Sequence, residues 1–180
     1  MIAICGNPKS GKSEVQRILN EEFGVLPVDD GMVLRNFCVV HLGMSWEDVS
    51  TQEGKARYTE ILDKKWQNRE ILGVLGAHLE TMFGEHIMPL IASKNLDKDK
   101  SYSFGSVRKT QGWFYKNQGG IVVGIKNAIA KPTQYDFDRF DETCVDLWIE
   151  NDSQIKGFDK ETGLERLKKQ VIDKFSELYA

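Results

Sequence analysis

The sequence opens with a short apolar run that leads directly into a glycine-rich loop. Residues 1–5 are MIAIC, and the following GNPKSGKS places Gly6, Gly11, Lys12 and Ser13 in the pattern G-x-x-x-x-G-K-S. A buried strand, a tight loop and a helix start in this order favour phosphate binding. The loop amides point inward, and the helix start carries a partial positive charge. This feature therefore predicts a site for a nucleoside triphosphate and a strand–loop–helix unit at the centre of the fold.

The residue types of this loop indicate what each position would do. Lys12 can reach the β- and γ-phosphates of ATP and is predicted to be catalytic, and the Ser13 hydroxyl can bind Mg²⁺. Asp30 is a second candidate for the Mg²⁺ site, acting through a water molecule. The predicted cofactors are thus ATP and Mg²⁺. The predicted ATP-binding residues are Gly6, Asn7, Lys9, Ser10, Gly11, Lys12, Ser13 and Glu14.

Apolar runs alternate with helical periodicities along the 180 residues. Five runs predict strands: MIAIC, VLPV, SYSFGSV, IVVGI and CVDLWIEND. Strands that alternate with helices predict an α/β fold with a parallel sheet covered on both faces. Together with the loop, this predicts the three-layer P-loop NTPase fold with about five parallel strands. One P-loop kinase domain would span 1–180, with a helical insertion at about 31–95 as its substrate lobe.

Helical spacing is clearest at both ends of the chain and in the insertion. KSEVQRILNEEF predicts a helix that ends at Gly24, and GMVLRNFCVVHLG predicts one that ends at Gly43. The polar stretch from Ser45 to Trp66 predicts a weaker helical region, and NREILGVLGAHLETMFG a strong helix. An amphipathic helix closes the chain, with an apolar face predicted at Leu164, Leu167, Val171, Phe175 and Leu178.

Acidic and basic side chains follow the predicted strands on the edge where ligands bind in parallel sheets. Asp29 and Asp30 follow the second strand, Arg35 lies one helical turn later, and Arg108 follows the third strand. Arg69 opens the strongly periodic helix of the insertion. Arginine neutralises crowded phosphate oxygens with two parallel hydrogen bonds. These five residues are predicted to bind the acceptor substrate, and Arg69 and Arg108 also to be catalytic.

Composition excludes several classes of partner. With 24 Lys and Arg against 27 Asp and Glu, the net charge of −3 argues against a broad surface for a nucleic acid polymer. No apolar run is long enough to span a membrane, and Met1 leads directly into the first strand, so a cytoplasmic location is expected. The three cysteines lack metal-ligand spacing and are expected to be reduced and buried. A homodimer is left open.

The chain resembles the phage-type deoxynucleoside monophosphate kinases, a branch of the P-loop nucleoside monophosphate kinases. GNPKSGKS is similar to the family loop, and REILGVLGAHLETMFGEHIM to its helix with an arginine at the start and a Phe-Gly turn. SVRKTQGWFYKNQGGIVVGIK and DETCVDLWIEND resemble two further family blocks. The chain departs from the family pattern at Ser106, Gln111 and Gly112, where Asp, Asn and Glu are common.

The resemblance implies transfer of the ATP γ-phosphate to a deoxynucleoside monophosphate, in the host cytoplasm if the chain is encoded by a phage. It also implies that Arg108 and Arg69 match the family arginines after the third strand and at the start of the helix. Two alternatives stay open. One is another small-molecule P-loop kinase with a hydroxyl acceptor, for which Asp30 would serve as the base. The other is a nucleotide-binding module without enzymatic activity.

Overall fold

Short strands supply the framework of the protein. The computed structural model describes residues 1–132, 134–154 and 159–179. Its strands are β1 (Ile2–Cys5), β2 (Leu26–Val28), β3 (Tyr58–Ile61), β4 (Lys64–Gln67), β5 (Tyr102–Phe104), β6 (Ile121–Lys126) and β7 (Leu147–Glu150). Its α-helices are α1 (Lys12–Phe23), α2 (Met32–Leu42), α3 (Trp46–Ser50), α4 (Gln52–Ala56), α5 (Asn68–Phe83), α6 (Ile87–Ser93), α7 (Gln111–Lys116) and α8 (Lys160–Tyr179).

Five of these strands form one parallel sheet in the order β2-β5-β1-β6-β7. The most apolar strand, β1, is central, and its Ile2 lies opposite Ser103 of β5 and Ile121 of β6. All four residues of β1 are buried, as expected for a strand covered on both faces. Because all five strands are parallel, the loops that follow them emerge along one edge of the sheet.

Helices α1 and α8 cover one face of this sheet. Helix α1 buries Val15, Ile18 and Leu19, whose spacing places them on one side. Gly24 ends the helix as predicted, with a φ of 66° and an amide that donates to the Asn20 and Leu19 carbonyls. The shared core of this face contains Ile2, Ile4, Val15, Ile18, Leu19, Val25, Val123, Ile125, Ile149, Leu167, Val171 and Phe175.

Helix α7 covers the other face. The Tyr115 ring lies 4.5 Å from the Phe104 ring, and a Cβ atom at Gly112 would lie 3.4 Å from Cγ2 of Val122. Val122 precedes the Val123 of the first face, and side chains alternate along a strand. Helices therefore lie on both faces of the parallel sheet. With the strand–loop–helix unit at its centre, this is the predicted three-layer P-loop NTPase fold.

The chain divides into two compact units, Met1–Asp29 with Ser93–Ala180 and Asp30–Ala92. The first unit contains the parallel sheet. In the second unit, Cys38, Met44, Val49 and Ile71 form a buried apolar cluster. Ser45 caps α3 through a reciprocal capping box with Asp48.

The prediction that the insertion is entirely helical is wrong between α4 and α5. There β3 and β4 form an antiparallel hairpin, with Tyr58 opposite Gln67. Its two turn residues, Leu62 and Asp63, have φ values of 50° and 59°. Such a turn usually carries glycine or asparagine, so the sequence gives no turn signal here. The hairpin forms because Ile61 and Trp66 pack against the buried cluster of the second unit.

Three smaller predictions also need correction. The third strand of the sheet ends at Phe104, so Arg108 lies in the loop before α7 and does not follow the strand directly. The fifth strand starts at Leu147, and Cys144 lies in a 3₁₀ turn. Leu178 is 52% exposed and does not belong to the buried face of α8, which ends at Phe175.

The different burial of Phe175 and Leu178 gives a direct test of this packing. Phe175 is fully buried and its ring lies 6.2 Å from that of Phe23. We expect Phe175→Ala to lower the free energy of unfolding by about 3–5 kcal/mol. The matched change Leu178→Ala is expected to lower it by no more than about 0.5 kcal/mol. Urea denaturation measures both, and equal losses would contradict the assigned packing of α8.

Candidate phosphate-binding site

Residues 6–13, called the phosphate loop below, run from the end of β1 into the first turn of α1 and have a backbone shape that depends on glycine. Gly6 and Gly11 have φ values of 149° and 104°, and Lys9 has a φ of 67°. A Cβ atom at Gly6 would lie 2.7 Å from the Ile125 carbonyl oxygen. The Ser10 amide donates to the Asn7 carbonyl at 3.0 Å and closes a turn. The chain thus curls at the place where the sequence predicts a phosphate cradle.

Lys12 folds back over this curl. Its Nζ donates to the carbonyl oxygens of Gly6 at 2.7 Å and Asn7 at 3.0 Å. The ammonium group therefore stands beside the start of the phosphate loop, where the positive end of the α1 dipole adds to its charge. Ser13 is exposed in the first turn of α1. A positive charge, the helix start and an accessible hydroxyl meet here, and this combination suits a polyphosphate with a bound divalent cation.

Ser10 adds an unsatisfied polar group to the phosphate loop. Its side chain is fully buried, and its Oγ has no hydrogen-bond partner among the described residues. A Cβ atom placed on Gly6 would lie 2.7 Å from that oxygen, so the hydroxyl lies against the start of the loop. Buried hydroxyls are usually hydrogen-bonded, because an unpaired one costs free energy. An unpaired hydroxyl fits a loop that completes its hydrogen bonds with a ligand.

Loops from two other strands brace the phosphate loop. After β6, the Ala130 carbonyl accepts a hydrogen bond from Asn7 Nδ2 at 3.0 Å. After β7, Asn151 Nδ2 donates to the Ser10 carbonyl at 2.7 Å. Sequence reasoning missed Asn151 and placed it inside the predicted strand CVDLWIEND. β7 ends at Glu150, so Asn151 directly follows it and lies on the edge where ligands bind. The phosphate loop is thus held by the loop after the adjacent strand β6 and by the loop after β7, the next strand beyond it.

Arg108 lies in the loop after β5, on the same edge of the sheet. Its guanidinium lies 3.4 Å from an Asp138 carboxylate oxygen, and the two side chains are 36% and 6% exposed. The Lys109 amide donates to the Arg139 carbonyl at 2.6 Å, and the Asp141 amide donates to the Lys109 carbonyl at 2.9 Å. The backbone therefore aligns the two segments and sets the carboxylate beside the arginine. Asp138 could not be predicted from the sequence, because it lies in a stretch without periodicity.

The other residues that the sequence predicts for the site lie in different parts of the structure. Lys9 is exposed, and the Glu14 carboxylate pairs with Arg17 at 2.6 Å on α1. Asp29 follows β2 in the same unit as the phosphate loop and is half-buried. The structure thus places the phosphate loop, Asp29 and Arg108 in one unit, along one edge of its sheet.

Asp30, Arg35 and Arg69 belong to the second unit. Asp30 is buried at 7% exposure, immediately before α2, and Arg35 is half-buried within α2. Arg69 lies in the first turn of α5, where its guanidinium donates to Gln52 Oε1 at 2.7 Å. The predicted acceptor residues are therefore divided between the two units.

The cysteine nearest to the phosphate loop is not a nucleophile. Burial raises the pKa of the Cys5 thiol to about 12, and the nearby Cys144 acts in the same direction. Burial also raises the pKa of Cys38 and of Cys144. All three thiols are free and buried, as expected from the sequence, and stay protonated at neutral pH. Thiol chemistry thus does not explain the site.

The described part of the chain also bears on metal ligands and on membrane spans. Within residues 1–132, 134–154 and 159–179, no group of three or more His, Cys, Asp or Glu side chains is arranged to hold a metal ion. A Mg²⁺ held by one hydroxyl, phosphate oxygens and water needs no such group. None of the described helices combines the length and the apolar character needed to cross a membrane.

Comparison with known proteins gives little further guidance. No protein-family model matches the chain, and no curated protein matches it. Among solved structures, a gluconokinase from Sinorhizobium meliloti 1021 is similar at 12% sequence identity and a TM-score of 0.38, over 99% of this chain and 94% of the gluconokinase. The strand order and the phosphate loop of the chain itself carry the assignment to the P-loop NTPase fold.

The pairing of Arg108 with Asp138 can be measured by a double-mutant cycle. We expect Arg108→Ala and Asp138→Ala to be non-additive, with a coupling free energy of about 0.5–1 kcal/mol in urea denaturation. The control pair is Arg139 with Asp136, whose side chains are 69% and 85% exposed and lie 3.3 Å apart. Its coupling should be near zero, because exposed pairs are screened by water. Additive effects at Arg108 and Asp138 would contradict the assigned ion pair.

Proposed function

We propose that the protein transfers the γ-phosphate of ATP to the phosphate group of a deoxynucleoside monophosphate, which yields the diphosphate and ADP. The observation that supports ATP as the phosphate donor is the phosphate loop, with its glycine-dependent curl and the Lys12 ammonium folded over it. In this proposal Lys12 and the loop amides hold the β- and γ-phosphates. Ser13 would hold Mg²⁺, with Asp30 contributing through water, and that ion would supply neutralisation of the charge on the phosphate oxygens.

A deoxynucleoside monophosphate as the phosphate acceptor is supported by the arginines and by the sequence resemblance. Arg108 lies on the same edge of the sheet as the phosphate loop. Its ion pair with the buried Asp138 limits the conformations of its side chain before a substrate binds. Arg35 and Arg69 would add positive charge from the second unit, and Asp29 and Asp30 would orient the acceptor. A nucleotide phosphate oxygen is already a nucleophile at neutral pH. Positioning and charge neutralisation are therefore the main tasks of the site.

A hydroxyl acceptor is the second candidate, and the burial of Asp30 favours it. Asp30 is 7% exposed as a whole residue and lies between β2 and α2. A kinase that acts on a hydroxyl gains from a carboxylate that accepts the hydroxyl proton, whereas a kinase that acts on a phosphate does not need one. The two candidates differ in what Asp30→Asn should do. The change abolishes activity on a hydroxyl acceptor and only weakens binding of a nucleotide acceptor.

The acceptor can be identified by a coupled assay of ADP release with ATP and Mg²⁺. Each common deoxynucleoside monophosphate is tested in turn, with AMP, GMP and gluconate as comparisons. We expect at least one deoxynucleotide to stimulate ADP release well above the rate with ATP alone. Stimulation by gluconate, or by no compound in spite of measurable ATP binding, would contradict the proposed acceptor.

Two substitutions test the assigned residues in the same assay. We expect Lys12→Ala and Arg108→Ala each to lower kcat/KM by at least about 100-fold, a loss of about 2.7 kcal/mol of transition-state stabilisation. The matched controls are Lys169→Ala, at an exposed position of α8, and Arg139→Ala, which removes an exposed side chain near Arg108. Both controls should keep near-normal kcat/KM. Unchanged turnover in either test variant, with the fold intact, would overturn the role of that residue.

A further inference from the structure

Asn151 is buried just after β7, and both ends of its side-chain amide are occupied. Its exposure is 4%. Nδ2 donates to the Ser10 carbonyl at 2.7 Å, and Oδ1 accepts from the Ser153 hydroxyl at 2.6 Å and the Ser153 amide at 3.1 Å. The Asn151 backbone amide donates to the Lys126 carbonyl at 2.7 Å and ties the residue to β6. Asn151 is therefore fixed in position and in orientation before any ligand binds.

The hydrogen bond to Ser10 sets the direction of the next amide in the phosphate loop. A trans peptide is planar, and its carbonyl oxygen and amide hydrogen point in opposite directions. The structure shows no cis peptide among its described residues. When Asn151 holds the Ser10 carbonyl, the Gly11 N–H is turned to the side of the loop that faces away from Asn151. Without this bond the peptide could rotate, because Gly11 lacks a Cβ atom and tolerates many conformations.

Close packing at Gly11 supports the same conclusion. A Cβ atom built on Gly11 would lie 2.2 Å from Nδ2 of Asn151, a distance at which one of the two must move. The side chain of Asn151 thus fills the space that a larger residue at position 11 would need. This contact gives a reason for glycine at position 11 in addition to its φ of 104°.

We propose that Asn151 is a positioning residue for polyphosphate binding, with Ser153 holding the amide of Asn151 in its working orientation. Asn151 does not touch the substrate in this proposal. It orients the Ser10–Gly11 peptide so that the Gly11 amide can donate to a phosphate oxygen. The entropy cost of ordering this peptide is then part of folding, and it does not weaken phosphate binding. The proposal rests on the nucleotide site of the proposed function and is independent of which acceptor the enzyme uses.

The test compares ligands that differ in their phosphate groups. Isothermal titration calorimetry measures the Kd of Mg²⁺–ATP and of Mg²⁺–tripolyphosphate for the wild type, Asn151→Ala and Asn151→Asp. We expect both ligands to bind about 10-fold more weakly to Asn151→Ala, the size expected for one well-placed hydrogen bond. Asn151→Asp keeps the shape of the side chain but cannot donate to the Ser10 carbonyl. This variant should therefore bind both ligands at least as weakly as Asn151→Ala.

Asn20→Ala is the matched control. Asn20 Nδ2 also donates to a backbone carbonyl, that of Val25 at 3.2 Å, but at the far end of α1 from the phosphate loop. A merely structural role for Asn151 predicts that Asn151→Ala and Asn20→Ala both lower the Tm and leave both Kd values unchanged. Positioning predicts weaker binding of ATP and tripolyphosphate to Asn151→Ala alone. Kd values within 2-fold of wild type in Asn151→Ala or Asn151→Asp would overturn the proposal.

Ser153→Ala keeps the test decisive if the Asn151 variants do not fold. It retains the Nδ2 donor and removes the hydroxyl that holds Oδ1, so tripolyphosphate should bind about 3-fold more weakly, with the fold intact. An unchanged Kd in Ser153→Ala would then overturn the proposal. A wild type that binds neither ATP nor tripolyphosphate refutes the nucleotide site and this proposal together. A wild type that binds both, with variants that bind equally well, refutes only the role of Asn151.

Discussion

The curl of the phosphate loop at the end of β1 is the constraint on which the rest of the site depends. Gly6 and Gly11 adopt positive φ values that other residues rarely adopt. A side chain at Gly6 would collide with the Ile125 carbonyl of β6, and one at Gly11 would collide with the Asn151 side chain in the loop after β7. β1 is the central strand of the sheet, so the loop emerges between the loops of β5 and β6. The sheet thus supplies both the support for the loop and the residues that surround it.

The loops on the two sides of the phosphate loop make different contributions to the site. On one side, Asn7 and Asn151 connect it to the loops after β6 and β7, which stabilise its backbone before a ligand binds. On the other side, the loop after β5 carries Arg108, held against the buried Asp138. Rigid support and an aligned positive charge are both forms of preorganisation. In the proposed function, both would lower the reorganisation that phosphate binding requires.

Features with a local signal could be predicted from the sequence, whereas features made by distant contacts could not. The flanking glycines and the apolar spacing predict where α1 begins and ends, and the structure confirms both ends. The β3–β4 hairpin was missed because its turn is Leu62-Asp63 rather than Asn-Gly. Asn151 is 141 residues from its partner Ser10, so no local pattern could reveal the bond, although its place after a strand marks the right edge of the sheet.

The central claim is that the γ-phosphate moves from a nucleotide in the phosphate loop to the phosphate of a second nucleotide. The most direct measurement follows that group itself, using ATP labelled with ³²P in the γ position and chromatography of the products. The account predicts label in a deoxynucleoside diphosphate, formed in step with ADP and lost in Lys12→Ala. Label that stays in ATP, or that appears only as inorganic phosphate or on a hydroxyl acceptor, would contradict it.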